Sequence, residues 1–382
     1  MPQRADTTPA DLAEALSQVE SLPLGDTVIV HNRASGAMVA TNAFGAMLID
    51  HLRATPDAEA AVGTIAAALD LPAGDVRGAV EGTMARWVSD GLFLTALRPF
   101  PMAVPHRPVE AGVTRSLALG DRAVILHSED AALVDDLDRA LAPMGLATVA
   151  GAAGEAPVRL DVIEEDEGYG VFRHGAPIWG VAGYELTRFH LLREIMDALC
   201  GPERVSAHLH ASAMSVKGAG LVFAGASGSG KSTLATLLLG AGAAQAADDH
   251  VAIDITGEAL LAFPTRPNLK PGASQLPQVR AVIAAEGDGQ GAFVPRARVP
   301  VGTGVRLAGL VFPRYAPDGD NALTPLAPDA ALRELIQTGS RVSRNTRSIA
   351  PLLHALSAHP TCRLTYRDTD FAIAQCLSLF DS

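Results

Sequence analysis

Gly225-Ala226-Ser227-Gly228-Ser229-Gly230-Lys231-Ser232 fills the pattern G-x-x-x-x-G-K-[ST] at every defined position. Glycines allow successive backbone N–H groups to turn inward and approach phosphate oxygens closely. A helix starting near Lys231 would aim its positive dipole end at the same anion. Lys231 adds a point charge for the outer phosphates, and the Ser232 hydroxyl is of the type that ligates Mg²⁺. The binding segment therefore runs from Gly225 through Thr233, the next residue. Asp248 and Asp249 follow 17 and 18 residues after Lys231. That interval holds one helix and one return strand, and it brings two carboxylates beside the phosphates. One can hold Mg²⁺ and the other can take a proton from an attacking hydroxyl.

Around this loop the chain resembles the HPr kinase/phosphorylase family, with its related serine kinases and phosphoenolpyruvate carboxykinase-like P-loop. The resemblance rests on His210-Ala211, then Gly218-Ala219-Gly220 before an apolar strand, then the loop, then Ala247-Asp248-Asp249. It is specific over about 40 residues and loose over about 170. It implies ATP and Mg²⁺ as cofactors, with Asp249 as the base toward an acceptor serine and Lys231 on the phosphates. It further implies His210 near them and Ser232 with Asp248 at the metal. Val299-Pro300-Val301 followed by Arg306-Leu307-Ala308 resembles a further family stretch, with a one-residue gap, and makes Arg306 an active-site arginine. Thr233 stands where bifunctional members carry Glu, and KPGASQLPQVRAV (270–282) lacks their Glu-containing loop. Kinase activity without the reverse phosphorolysis is the expectation. Arg266 and Lys270 are alternative phosphate or substrate contacts.

The elements that must position these groups can be read from pattern. HLHASAMSV and GAGLVFAG read as strands around Lys217-Gly218, which puts His208 and His210 on one strand face. Leu234–Ala247, the most apolar stretch, reads as a buried helix. Helices are expected at about 328–339 and 347–358, then the strand CRLTYR and a closing helix from Asp368. Upstream, residues 111–204 alternate strands with a helix over 129–143. An amphipathic helix over 187–200 follows, with Phe189, Leu192, Ile195, Met196 and Leu199 inward. This region reads as a shoulder or lid, outside the active centre. Arg341, Arg344 and Arg347 read as a solvated basic loop, and His174, His190 and His208 as structural.

Pro99, Pro101, Pro105 and Pro108 disfavour both helix and central strand and mark a linker over 99–110. Before it, residues 1–98 read as two short strands (26–31 and 37–40) and a helix capped by Asn42. Next come a helix capped by Thr55 or Asp57, a helix from Pro72 to Val88, and the strand LFLTAL. This winged-helix-like order resembles PqqD-type domains, which bind the leader segment of a precursor peptide by strand addition. The expected chain is thus α/β (α+β): residues 1–98 a PqqD-like reader, and 111–204 a shoulder. Residues 205–382 would form an HPr kinase/phosphoenolpyruvate carboxykinase-like core with a mixed sheet.

Composition bounds the rest. Of 382 residues, 48% are hydrophobic and 19% charged, which argues against global disorder. The formal net charge of −12 excludes a broad basic surface for nucleic acid or membrane lipid. Helix 73–88 sets only Arg77 and Arg86 against Asp75 and Glu81, which disfavours DNA recognition. Three scattered cysteines form no disulfide framework, and the N-terminus lacks the order of a signal peptide, so a cytoplasmic setting is expected. The function expected is phosphorylation of a hydroxyl, most simply serine, on a ribosomally made peptide captured by residues 1–98. The rivals are a small-molecule kinase and a nucleotide-dependent switch. Neither nucleic acid nor membrane is expected as a partner, and a homo-oligomer is left open.

Overall fold

The computed structural model describes residues 9–96, 104–109, 111–147, 156–287 and 293–380. The chain divides into two units, Met1–Pro99 with Arg347–Ala350, and Phe100–Thr346 with Pro351–Ser382. Helices and mixed sheets alternate, so the chain is α/β with α+β segregation. Among the described residues no helix is long and apolar enough to cross a membrane.

The first unit runs α1 (Pro9–Ser17), β1 (Val19–Leu24), β2 (Thr27–Asn32), β3 (Met38–Thr41), α2 (Ala43–Ala54), α3 (Ala58–Leu69) and α4 (Ala73–Asp90). Its strands form an antiparallel sheet in the order β1-β2-β3, so a helix and a strand precede the expected pair. The caps are as the sequence suggests. Asn42 accepts from the Gly45 amide, and Asp57, not Thr55, accepts from Glu59 and Ala60. Leu48, Ile49, Leu52, Val62, Ile65 and Trp87 fill its core. LFLTAL departs from the expected strand: Leu92–Ala96 is turn and bend, and residue 97 lies outside the described residues. Asn32 Nδ2 donates to the Leu92 and Leu94 carbonyls at 2.6 and 2.9 Å, so side-chain bonds replace a ladder.

The second unit opens with β4 (Val113–Leu119), β5 (Arg122–Ser128), α5 (Ala131–Leu141), β6 (Val158–Glu165), β7 (Gly168–Arg173), β8 (Ala176–Ala182) and α6 (Tyr184–Cys200). Then come β9 (Val205–Leu209), β10 (Ala211–Val216), β11 (Ala219–Ala224), α7 (Lys231–Gly240), β12 (Ala244–Ala247), β13 (Val251–Asp254) and β14 (Ala259–Leu261). The remainder is α8 (Pro271–Ser274), α9 (Pro277–Glu286), β15 (Gly304–Tyr315), β16 (Ala322–Pro325), α10 (Pro328–Gln337), β17 (Arg341–Val342), α11 (Ala350–Ala358), β18 (Thr361–Tyr366) and α12 (Thr369–Leu379). Strands β4 to β8 form one sheet in sequence order, and the other strands form a ten-stranded mixed sheet. The long β15 pairs with β14 through its first residues and with β18 through its last.

One apolar core joins the two sheets. It runs from Leu126 and Val162 through Leu191, Ile195 and Leu199 of α6 to Val205, Ala252 and Phe263. Residues 111–204 therefore share a core with the strands of the ten-stranded sheet. Helix α6 is buried from Leu191 to Cys200 on every face, where an amphipathic helix was expected. It lies between β4, β5 and β7 on one side and β9 on the other, so its polar residues are buried too. Leu234–Ala247 likewise departs from one helix: α7 stops at Gly240, and β12 returns from Ala244.

Candidate active site

The sheet brings the motif residues to one edge by register. Strand β11 ends at Ala224, directly before Gly225. Antiparallel β10 sets Ala211 opposite Ala224, so His210 and Ser212 stand at that same edge. Strand β12 pairs antiparallel with β10, so its end delivers Asp248 and Asp249 there as well. Ligands of such sheets bind outside the carboxyl ends of the strands.

The loop geometry needs its glycines. Gly225, Gly228 and Gly230 have φ of +140°, +87° and +102°, values L side chains rarely adopt. A Cβ on Gly230 would also stand 2.6 Å from Tyr366 Oη. Gly230 caps α7 without a side-chain bond, which leaves the first N–H groups of the helix for an anion. Ala226, Ser227 and Gly228 are exposed, while Ser229 Oγ is buried without a partner. Lys231 is 8% exposed, and its Nζ donates to the Gly225 and Ala226 carbonyls at 2.7 and 3.2 Å. Burial lowers its pKa, against the pull of Asp249 and Asp248.

The two aspartates are held differently. Asp248 is 2% exposed. It accepts from Ser212 Oγ at 2.5 Å, the Asn268 amide at 2.8 Å and Ser232 Oγ at 3.4 Å. Burial first, and then Asp249, push its carboxyl up to about 7 against those donors. Asp249 is half-buried, sits in the left-handed region at φ +60°, and accepts from Asn268 Nδ2 at 3.1 Å. Thr265 braces the pair by donating to the Asp248 carbonyl, while Gln245 Nε2 donates to the Thr265 carbonyl. A divalent cation fits these donors. Ser232 and Asp248 offer adjacent oxygens, and an added positive charge would relieve a buried carboxylate. Among the described residues no group of three or more His, Cys, Asp and Glu could hold a metal alone. Two protein oxygens completed by phosphate and water is the usual Mg²⁺ pattern.

A cavity of about 680 Å³ opens beside the loop, lined by Lys231, Ser232, Thr233, Asp249 and His210. His210 Nδ1 donates to the Thr338 carbonyl at 2.9 Å, which leaves Nε2 as the unprotonated nitrogen. Glu185, Arg188 and Phe189 of α6 line the same cavity, so the supposed shoulder supplies part of the site. Arg188 Nε is held by Asp136 at 2.5 Å. Asn268, Lys270 and Gly272 close the opposite wall, and Lys270 Nζ donates to Ser227 Oγ at 2.8 Å. Of the two alternative cations, Lys270 reaches the site and Arg266 is not in its lining.

Arg306 departs from the expected site. It pairs with Ala219 at the start of parallel β11, five residues before the loop edge. Five residues of strand span roughly 17 Å, and Arg306 does not line the cavity. His208 and His210 do not share a strand, because β9 ends at Leu209. His208 instead lies 3.0 Å from Asp197, without hydrogen-bond alignment. The basic run is not simply solvated either. The Arg344 guanidinium sits 4.1 Å from the Trp179 ring centroid, beside Arg193 at 4.3 Å and a stacked His190 at 3.7 Å.

Sequence reading missed Ser212, Asn268, Arg188 and Phe189. Only Ser212 carried a signal, lying two residues after His210. No family model matches the chain, and no curated protein matches it.

Proposed function

We propose that this chain is an ATP-dependent kinase related to the HPr kinase/phosphorylase family, transferring the γ-phosphoryl group to a hydroxyl, most simply a serine, on a peptide. The observation that carries this reading is the meeting of a complete phosphate loop and two unlike carboxylates at one cavity. Lys231 and the loop amides bind the phosphates, and His210 stands at the cavity wall near them. Ser232 and Asp248 would hold Mg²⁺, which supplies charge neutralisation when bound. Asp249 takes the proton from the acceptor hydroxyl, because it is the carboxylate that faces the cavity. Asn268 restrains both aspartates, so a small movement of one loop would misplace base and metal ligand together.

In this reading residues 1–98 form a PqqD-type reader that captures a ribosomally made peptide. The support is an antiparallel three-stranded sheet whose outer strands, β1 and β3, each pair on one side only within it. An open edge is what strand addition requires. Such tethering raises the local concentration of a weakly held acceptor.

The test is transfer of labelled γ-phosphate to candidate peptides. Lys231→Ala abolishes transfer together with ATP binding. Asp249→Asn lowers transfer by roughly two to four orders of magnitude while largely sparing ATP binding. If label never leaves ATP for a peptide or a metabolite and only slow hydrolysis appears, the chain is a nucleotide-dependent switch instead.

A further inference from the structure

The carboxylates and the cavity occupy one side of the phosphate loop. Strands β15 and β18 lie on the other, and both run parallel to β11. Their carboxyl ends therefore finish at the loop's own edge, with Tyr315 and Tyr366 in register as the last pair. The Tyr366 ring is buried under the loop, and its hydroxyl packs where a Cβ on Gly230 would stand. Tyr315 is 53% exposed. Its ring stands at 62° to that of Tyr366, with centroids 5.6 Å apart, so Tyr366 braces it edge-on. Its backbone amide donates to the Ser229 carbonyl at 3.4 Å, which couples the ring's position to the loop.

We infer that Tyr315 is the stacking platform for the nucleoside base of the phosphoryl donor, a nucleoside triphosphate. The inference rests on the kinase reading above. A triphosphate in the loop with its outer phosphate toward Asp249 must direct its nucleoside away from β12, across β11. The aromatic surface at that edge, on that side, is the exposed ring of Tyr315. Solvent-exposed tyrosines are commonplace one at a time. This one is distinguished by its address, one strand from the phosphate loop, and by its edge-on brace. Stacking tolerates different bases, because every base presents a π-face, so Tyr315 gives affinity without selecting adenine over guanine.

The experiment measures binding of Mg²⁺–ATP and of inorganic triphosphate to the full chain by calorimetry, in the wild type, Tyr315→Phe and Tyr315→Ala. Tyr315→Phe keeps the stack and should bind both ligands as the wild type does. Tyr315→Ala should weaken ATP roughly tenfold while leaving triphosphate unchanged. If Tyr315→Ala weakens both ligands equally, or neither, the platform is overturned and the kinase reading stands. If the wild type binds neither ligand, the kinase reading fails and takes the platform with it.

Discussion

Asp248 is buried as an acid among three hydrogen-bond donors, and this makes the molecule's stability depend on pH in a definite direction. Its pKa is raised from 3.8 to about 7. Between those values the folded chain holds a proton that the unfolded chain has lost. Stability therefore falls as pH rises through this interval. Asp248→Asn should flatten the decline and raise metal-free stability at pH 8 by on the order of 1–3 kcal/mol, read by thermal unfolding at pH 5 and pH 8. A metal ion competes with the same proton, so Mg²⁺ should release it and shrink the wild-type pH difference. An unchanged pH profile in Asp248→Asn would show that the carboxyl is ionised throughout. His190 illustrates the opposite case. Burial, and then Arg193, Arg341 and Arg344, push its pKa down to about 3, so it stays neutral while stacked on Trp179.

The turn between β11 and α7 is the element on which the site depends, and its glycines are unequal. Gly228 and Gly230 both require positive φ, but nothing lies within 4 Å of a Cβ placed on Gly228. On Gly230 that Cβ would meet Tyr366 Oη at 2.6 Å. Gly228→Ala should therefore cost about 1 kcal/mol of conformational strain. Gly230→Ala should cost more, roughly 2–3 kcal/mol, and also displace Tyr366 or the loop. Denaturant melts of the two variants give the comparison, and equal losses would show that Tyr366 moves aside freely. The same packing explains why β18, more than 130 residues downstream, matters to a loop at 225–232: its last residue is the loop's floor.

At the scale of the whole molecule, the two units have separate cores. Leu48, Ile49, Ile65 and Trp87 belong to one cluster, and none of its members appears in the clusters around α6 or α7. Removing residues 1–98 should accordingly leave Mg²⁺–ATP binding within about twofold of the full chain. Affinity for a captured peptide should fall by two orders of magnitude or more, as expected when a tether is lost. Peptide affinity that survived the deletion would place the acceptor contacts in the second unit and favour a small acceptor. The net charge of −12 does not oppose binding of a polyanion here, because the loop grips phosphate with backbone N–H groups and one lysine.

By itself the sequence determined the phosphate loop, the helix it opens and the carboxylates one strand later. Each follows from local chemistry: glycines where φ must be positive, a lysine and a serine at fixed offsets, and alternation that marks strands. It also determined the helix caps at Asn42 and Asp57, because a cap needs one side chain and the next turn. Tertiary structure alone decided which aspartate is buried, since that depends on Ser212 and Asn268 reaching Asp248 from other strands and loops. It alone removed Arg306 from the site, because strand register sets which end of β15 faces the loop. It alone brought α6 to the cavity and Tyr315 beside Gly230, contacts between residues far apart in the chain that leave no periodic trace in either segment.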